Sequence, residues 1–327
     1  MNYELLGVII LLIIIISEIA LRLTIGFGNP LLYISDREIG YLLAPNQKVQ
    51  RFGNRVEINE YSLRSPKLLE PKQGLRVLLL GDSVLNGSWW TDQKDTISEM
   101  VRSNLQPSLL LDSSPSNPAL FNSPSPEILN ASANGWSPRN ELAYLQKFGI
   151  FQADILVLVL NTDDLFGTAP TSIPVGRDRY YPSHKPVLAI FEALTRLIPY
   201  APPTEMEPVN AEGGDRVGLN LAALGAIHHL TTTEAIPLFL TLTPLWHEVL
   251  NQTKEYEITA RERLIKFTQA LEITYLDFLP LFQNYLEPKS LYRDQIHLTP
   301  AGNKIVSAEI SKLIVGETRH GNLEDKF

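Results

Sequence analysis

Cysteine is absent from all 327 positions. Disulfides, thiolate nucleophiles and zinc–thiolate sites are therefore excluded. The compartment stays open, because an exported protein can lack cysteine as readily as a cytosolic one. A basic excess is missing too: 28 Lys and Arg stand against 36 Asp and Glu, a formal net charge of −8. That excludes nucleic acid as the main partner, since phosphate binding needs a basic face. The acidic excess reads as a solvated surface. No metal site and no cofactor are expected. His228 and His229 are adjacent on a predicted helix, so their rings point in different directions and cannot chelate one ion. What remains is ordinary globular usage, 44% hydrophobic and 20% charged, in a length that allows one large domain or two small ones.

One long hydrophobic run is present, at the N-terminus. Residues 5–16 are apolar without a break, and residues 19–25 continue with Arg22 and Thr24 as their only polar members. As a helix, residues 5–25 would be roughly 30 Å long, enough to cross a bilayer core. Glu18 and Arg22 are four apart and can pair on one face near the interface. No Lys or Arg precedes the run and no small-x-small site follows it, which favours an uncleaved single-pass anchor over a cleaved signal. The domain that follows is expected outside the cytoplasm. Arg22, Arg37, Lys48 and Arg51 flank the span on its C-terminal side and argue the other way, so the side stays open.

Residues 26–75 carry turn signals at 28–30, 45–47 and 53–54, with one polar–apolar alternation at 55–59 that suits an edge strand. They read as a lead-in that packs on the domain that follows. From residue 76 the pattern becomes strand, helix, strand, helix. Strands are expected at 77–80, 128–129, 155–160, 238–242 and 275–278. Helices are expected at 95–105, from 138, at 187–197, 217–230, 258–271 and 301–314. Residues 106–126 are rich in Pro, Ser and Asn and read as a loop; 166–181 reads as an inserted loop. Such alternation implies a mostly parallel sheet covered on both faces, with its site at the carboxyl ends of the strands. The expected division is an anchor at 1–25, the lead-in at 26–75, an α/β domain at 76–316 and a flexible tail at 317–327.

The stretch Gly81-Asp82-Ser83 leaves the first of those strands. A serine on such a turn either caps the following helix or attacks a substrate held over the turn's N–H groups. The second role needs a base. Asp294 and His297 are three apart just before the last helix, so the acid can hold the imidazole in one tautomer while the other nitrogen takes a proton from serine. His247, after the fourth strand, is an alternative base. Trp89, Trp90 and Trp136 lie just beyond the first two strands and suit either sugar stacking or core packing.

Four ordered blocks, Gly81-Asp82-Ser83 with Gly87, residues 130–135, residues 161–164 and Asp294-x-x-His297, resemble those of the GDSL/SGNH hydrolase superfamily. The resemblance covers roughly residues 77–314. It implies a flavodoxin-like three-layer α/β/α domain and serine esterase or acyl-transfer chemistry. Carried over, Ser83 is the nucleophile, His297 the base and Asp294 its orienter, with the N–H groups of Ser83 and Gly135 in the oxyanion hole. The third block departs from the family: Asp163 stands where an asparagine donor is usual. An ionised carboxylate cannot donate to an oxyanion. Asn161 could reach in instead, Asp163 could be held protonated, or two backbone donors could serve alone. The expected substrate is an ester, on a cell-envelope glycan or a lipid. The same residues would serve an O-acyltransferase, and the altered block also fits a degenerate member that binds a glycan or partner without turnover.

Overall fold

The computed structural model describes residues 3–111 and 125–319. Five strands, β5 (Arg76–Gly81), β6 (Glu127–Ser132), β7 (Ile155–Asn161), β8 (Leu238–Thr243) and β9 (Thr274–Asp277), form one sheet in the order β6-β5-β7-β8-β9. Every pairing in it is parallel. Continuous apolar runs make this possible. All seven residues of β7 and all six of β5 and β8 are buried, because both faces of the sheet are covered.

The helices divide between those faces. α4 (Pro138–Phe148), α7 (Arg216–Thr233) and α9 (Glu255–Ala270) pack Tyr144, Leu145, Leu224, Ile227 and Leu264 against Leu78, Leu158 and Leu240. α3 (Ile97–Leu111) and α11 (Pro300–Arg319) pack Val101, Leu105, Val306 and Ile310 against Val77, Leu79 and Val157. This is a three-layer α/β/α fold with flavodoxin-like strand order. That order reverses between β5 and β7, which opens a crevice beyond their carboxyl ends.

The lead-in is more structured than one edge strand. β1 (Tyr33–Asp36) pairs antiparallel with β2 (Gly40–Leu43), and β3 (Gln47–Arg51) with β4 (Asn54–Ile58). Phe52 and Gly53 both have positive φ, 48° and 83°, the signature of the type I′ turn that closes the second hairpin. Leu31, Leu43, Val56, Ile58 and Leu63 join the same apolar cluster as Leu78 and Leu158. Arg64, fully buried, donates to the carbonyls of Asn86, Ser88 (2.5 Å) and Thr91 (2.6 Å), the loop that follows Ser83.

The N-terminal helix α1 (Tyr3–Ala20) and the wider turn at Leu21–Ile25 together make a 23-residue element long and apolar enough to cross a membrane, with none of its residues buried. Arg22 Nε donates to Glu18 at 2.6 Å. α3 runs on to Leu111 through Pro107, where a loop from 106 was expected. The rest of that loop, 112–124, lies outside the described residues, as do 320–327 of the expected tail. The helix expected at 187–197 is present as α5 (Ala189–Thr195), and the segment before α7 holds a second short helix, α6 (Glu207–Asn210), that was not expected. Pro199, Pro202 and Pro203 separate them and remove the N–H groups that a continuous helix would need.

Candidate active site

β5 ends at Gly81, where a Cβ would come within 2.4 Å of the Val159 carbonyl on β7. Only glycine lets the two strands approach so closely. Asp82 caps the helix α2 (Ser83–Asn86), its carboxylate accepting from the Val84 N–H at 2.8 Å. Ser83 is therefore the first residue of a helix whose opening N–H groups have no helical acceptor. It is 8% exposed.

The other half comes from the chain before α11. Tyr292 and Leu298 bridge, and Arg293 N–H donates to the His297 carbonyl at 2.8 Å, which closes a tight loop. Within it, Asp294 accepts from the N–H groups of Ile296 (3.0 Å) and His297 (2.9 Å). Its carboxylate also meets His297 Nδ1 at 2.8 and 2.9 Å. Partial burial pushes the Asp294 carboxyl up, but those N–H groups and the imidazole outweigh it and hold the group below its ordinary value. His297 Nε2 lies 3.0 Å from Ser83 Oγ across 214 residues of chain. Trp90 packs against the imidazole at 4.7 Å between ring centres.

Ser83 Oγ has a second partner, Asp82 Oδ2, also at 3.0 Å. One hydroxyl proton thus faces two acceptors, and transfer to the imidazole requires that Asp82 not hold it. Two further buried carboxyls bear on Asp82. Glu141 on α4 has no hydrogen-bond partner for either oxygen among the described residues, and burial, then the Asp82 charge, push it far up. Asp164 is pushed far up by burial, then by Asp82 and Glu141. Burial raises Asp82 as well, but Val84 N–H, Ser83 and His297 oppose it. Of the trio, Asp82 is the member with the most donors.

The loop after β6 brings Gly135 to the same cleft as Ser83. Its φ is +72°, and a Cβ there would come within 2.9 Å of Tyr181 Oη and 3.0 Å of Tyr41 Oη. Those two hydroxyls donate to the neighbouring Asn134 carbonyl, at 3.2 and 2.7 Å, and fix the turn. The Gly135 N–H has no protein acceptor among the described residues.

The third block sits differently from either side-chain expectation. Asn161 does not reach the cleft: its Nδ2 donates to Asp82 Oδ2 at 2.7 Å and its Oδ1 accepts from Asp163 N–H at 2.7 Å. Asp163 is exposed and outside the cleft lining. Partial burial raises its carboxyl, then the Glu257 charge, while His247 and Lys254 lower it. The reason is local. Asn161 caps the tight turn at Thr162–Phe166, which commits its amide to the cap and turns Asp163, two residues on, outward. His247 is not near Ser83; it meets Glu257 at 2.9 Å. Trp136 is buried and donates to the Tyr41 carbonyl at 3.0 Å, so it belongs to the core.

The cleft has a volume of about 940 Å³. Trp89, Trp90, Tyr41, Tyr180, Tyr181 and Tyr200 line it. Arg293 stands at its mouth, 4.9 Å from the Trp90 ring centre. Sequence reasoning missed Asp82 as a partner of the serine hydroxyl and Glu141 and Asp164 behind it. Apolar spacing on α4 could have placed Glu141 inward, since Leu145 four residues on is buried.

Serine hydroxyl, imidazole and carboxylate thus form one hydrogen-bonded chain at the carboxyl ends of a doubly wound parallel sheet, the geometry of a nucleophile–base–acid triad. Among solved structures, the chain is similar to the lipase/acylhydrolase from Enterococcus faecalis, at 12% identity and a TM-score of 0.44, over 75% of this chain and 97% of that one. It is similar to a member of the lipolytic protein G-D-S-L family from Veillonella parvula, at 11% identity and 0.43, over 73% and 98%. It is also similar to the family 3 carbohydrate esterase from Clostridium thermocellum, at 11% identity and 0.35, over 74% and 98%. No family model matches the chain, and no curated protein matches it.

Proposed function

We propose that this chain is a membrane-anchored serine esterase of the SGNH type. The observation that carries the reading is the relay from Asp294 through His297 to Ser83, at 2.8 and 3.0 Å, beside an open Gly135 N–H. His297 Nε2 takes the Ser83 hydroxyl proton as Oγ attacks the acyl carbonyl. The N–H groups of Ser83 and Gly135 receive the oxyanion. His297 then returns the proton to the leaving alcohol, and an acyl-Ser83 ester remains. The acceptor in the second half, water or a sugar hydroxyl, changes the product and not the residues. Asp294 keeps the proton on Nδ1 and steadies the imidazolium.

The aromatic walls of the cleft suit a glycan ester or a lipid ester as substrate. α1 serves as the anchor. Hydrolysis of p-nitrophenyl acetate by the full chain in detergent, compared with Ser83→Ala, tests the reading. Wild type is expected to turn over and to label with a fluorophosphonate; the variant is expected to lose both, with a drop of at least about 10³-fold. Equal inactivity of the two, with no labelling, would overturn it.

A further inference from the structure

The helix α5 is built inside out for a water-soluble surface. Its polar side faces the protein: Glu192 accepts from Gly28 N–H at 2.7 Å and pairs with Arg51 at 2.5 Å and Arg196 at 3.2 Å. Partial burial pushes the Glu192 carboxyl up, but the Arg51 and Arg196 guanidinium groups and the Gly28 N–H outweigh it and hold it down. Its apolar side faces out. Phe191, Leu194 and Ile198 recur at helical spacing, and with Leu197 and with Val187 just ahead of the helix they are 53–87% exposed. Backbone bonds from Arg196, Leu197 and Ile198 to residues three back continue the winding past Thr195, so the stripe is unbroken.

The position of this stripe is fixed by α1. Glu18 of α1 accepts from the N–H groups of Ala189 and Ile190, at 2.9 and 3.1 Å. Arg22 donates to the Val187 carbonyl at 2.8 Å. The start of α5 is therefore tied to the last turns of the span, about 5–10 Å inside its C-terminal end at Ile25 by the helical rise. Helices that lie in a membrane interface sit at that depth, and they are those with an exposed apolar face. Beyond α5, Tyr180 and Tyr200 flank the stripe, half-exposed, as aromatic side chains do at such an interface, and the same two rings line the cleft.

We infer that the face formed by Val187, Phe191, Leu194, Leu197 and Ile198 lies in the lipid leaflet that α1 leaves. The domain is then held flat on the bilayer, with the Tyr180–Tyr200 wall of its cleft at the lipid surface. The inference rests on the reading of α1 as a membrane span. It narrows the substrate to an ester carried on a lipid or within reach of the headgroups.

Because the chain has no cysteine, single-cysteine variants of the full chain carry one nitroxide each. Phe191→Cys, Leu194→Cys and Ile198→Cys are placed in phosphatidylcholine–phosphatidylglycerol vesicles. Ile13→Cys in the middle of α1 and Lys312→Cys on exposed α11 mark the two limits. Collision of the nitroxide with oxygen and with a water-soluble nickel chelate reads depth. The oxygen-to-nickel ratio at 191, 194 and 198 is expected to be several-fold above that at 312 and below that at 13. A ratio equal to that at 312, with position 13 deep, would overturn this inference alone. Low collision with both agents plus dipolar broadening would mean that a second copy covers the face, which also overturns it. A water-like ratio at position 13 would overturn the anchor reading and this one together.

Discussion

Replacing Asp294 by asparagine separates charge from shape in the relay. The amide oxygen of asparagine can still accept the N–H groups of Ile296 and His297, so the loop holds. What disappears is the negative charge next to Nδ1 when His297 becomes imidazolium. A fully buried acid in this role is worth ~10⁴-fold in kcat. Asp294 is different, because its side chain is 46% exposed. With charge centres about 4 Å apart and an effective dielectric constant of ~40, between surface and water values, the lost attraction is ~2 kcal/mol. That is about 30-fold in rate, and loss of tautomer control brings it toward ~10²-fold. Steady-state hydrolysis of p-nitrophenyl acetate at neutral pH measures it, with KM expected within a factor of about two. A loss below about threefold would remove Asp294 from the relay. A loss of ~10⁴-fold would refute the screening argument, because it would mean that the acid is dry when substrate is bound.

Gly135→Ala adds a Cβ against two tyrosine hydroxyls and disturbs an oxyanion donor, so kcat is expected to fall ~10²–10³-fold in the same assay while fluorophosphonate labelling slows. Asp163→Asn is expected to keep kcat/KM within about threefold, because the side chain lies outside the cleft; a ~10²-fold gain or loss would return it to the site. Glu141→Met removes two buried oxygens without partners and is expected to stabilise the fold by about 1–3 kcal/mol, read by denaturant unfolding in detergent. The sign with pH follows from the raised carboxyl. The unfolded chain sheds this proton at ordinary Glu values while the folded chain keeps it, so the native group costs stability increasingly as pH rises above that range. The gain from Glu141→Met should therefore be larger at neutral pH than at pH ~4, below the ordinary Glu value; a gain independent of pH would mean that the group is not protonated in the fold.

The central strands were legible because burial on both faces writes them as unbroken apolar runs, as at Val77–Leu80 within β5 and throughout β7. The meeting of Asp294 with His297 was legible for a similar reason, since three residues set both the loop and the contact. In the lead-in, β4 was legible as an alternation at 55–59, but β1, β2 and β3, which complete the hairpins, were not. Phe52 supplies one of the positive φ values of its turn, and phenylalanine carries no turn signal. Nor could sequence place Asn161 and Asp163, whose facing depends on one capped turn at the end of β7. The apolar residues of 187–197 were read as a helix, but spacing does not say whether a stripe faces a core or the outside. The pairing of Glu192 with Arg51 and with the Gly28 N–H turns the polar side of α5 inward.

Arg64 gives the lead-in a role that a linker would not have. Its guanidinium, sealed from water, closes on three carbonyls of the loop behind Ser83. Cutting or exchanging the chain at residue 75 would leave those carbonyls unanswered and the Ser83 turn unbraced. Residues 26–75 and the segment that bears the serine therefore form one packed unit rather than a linker and a domain.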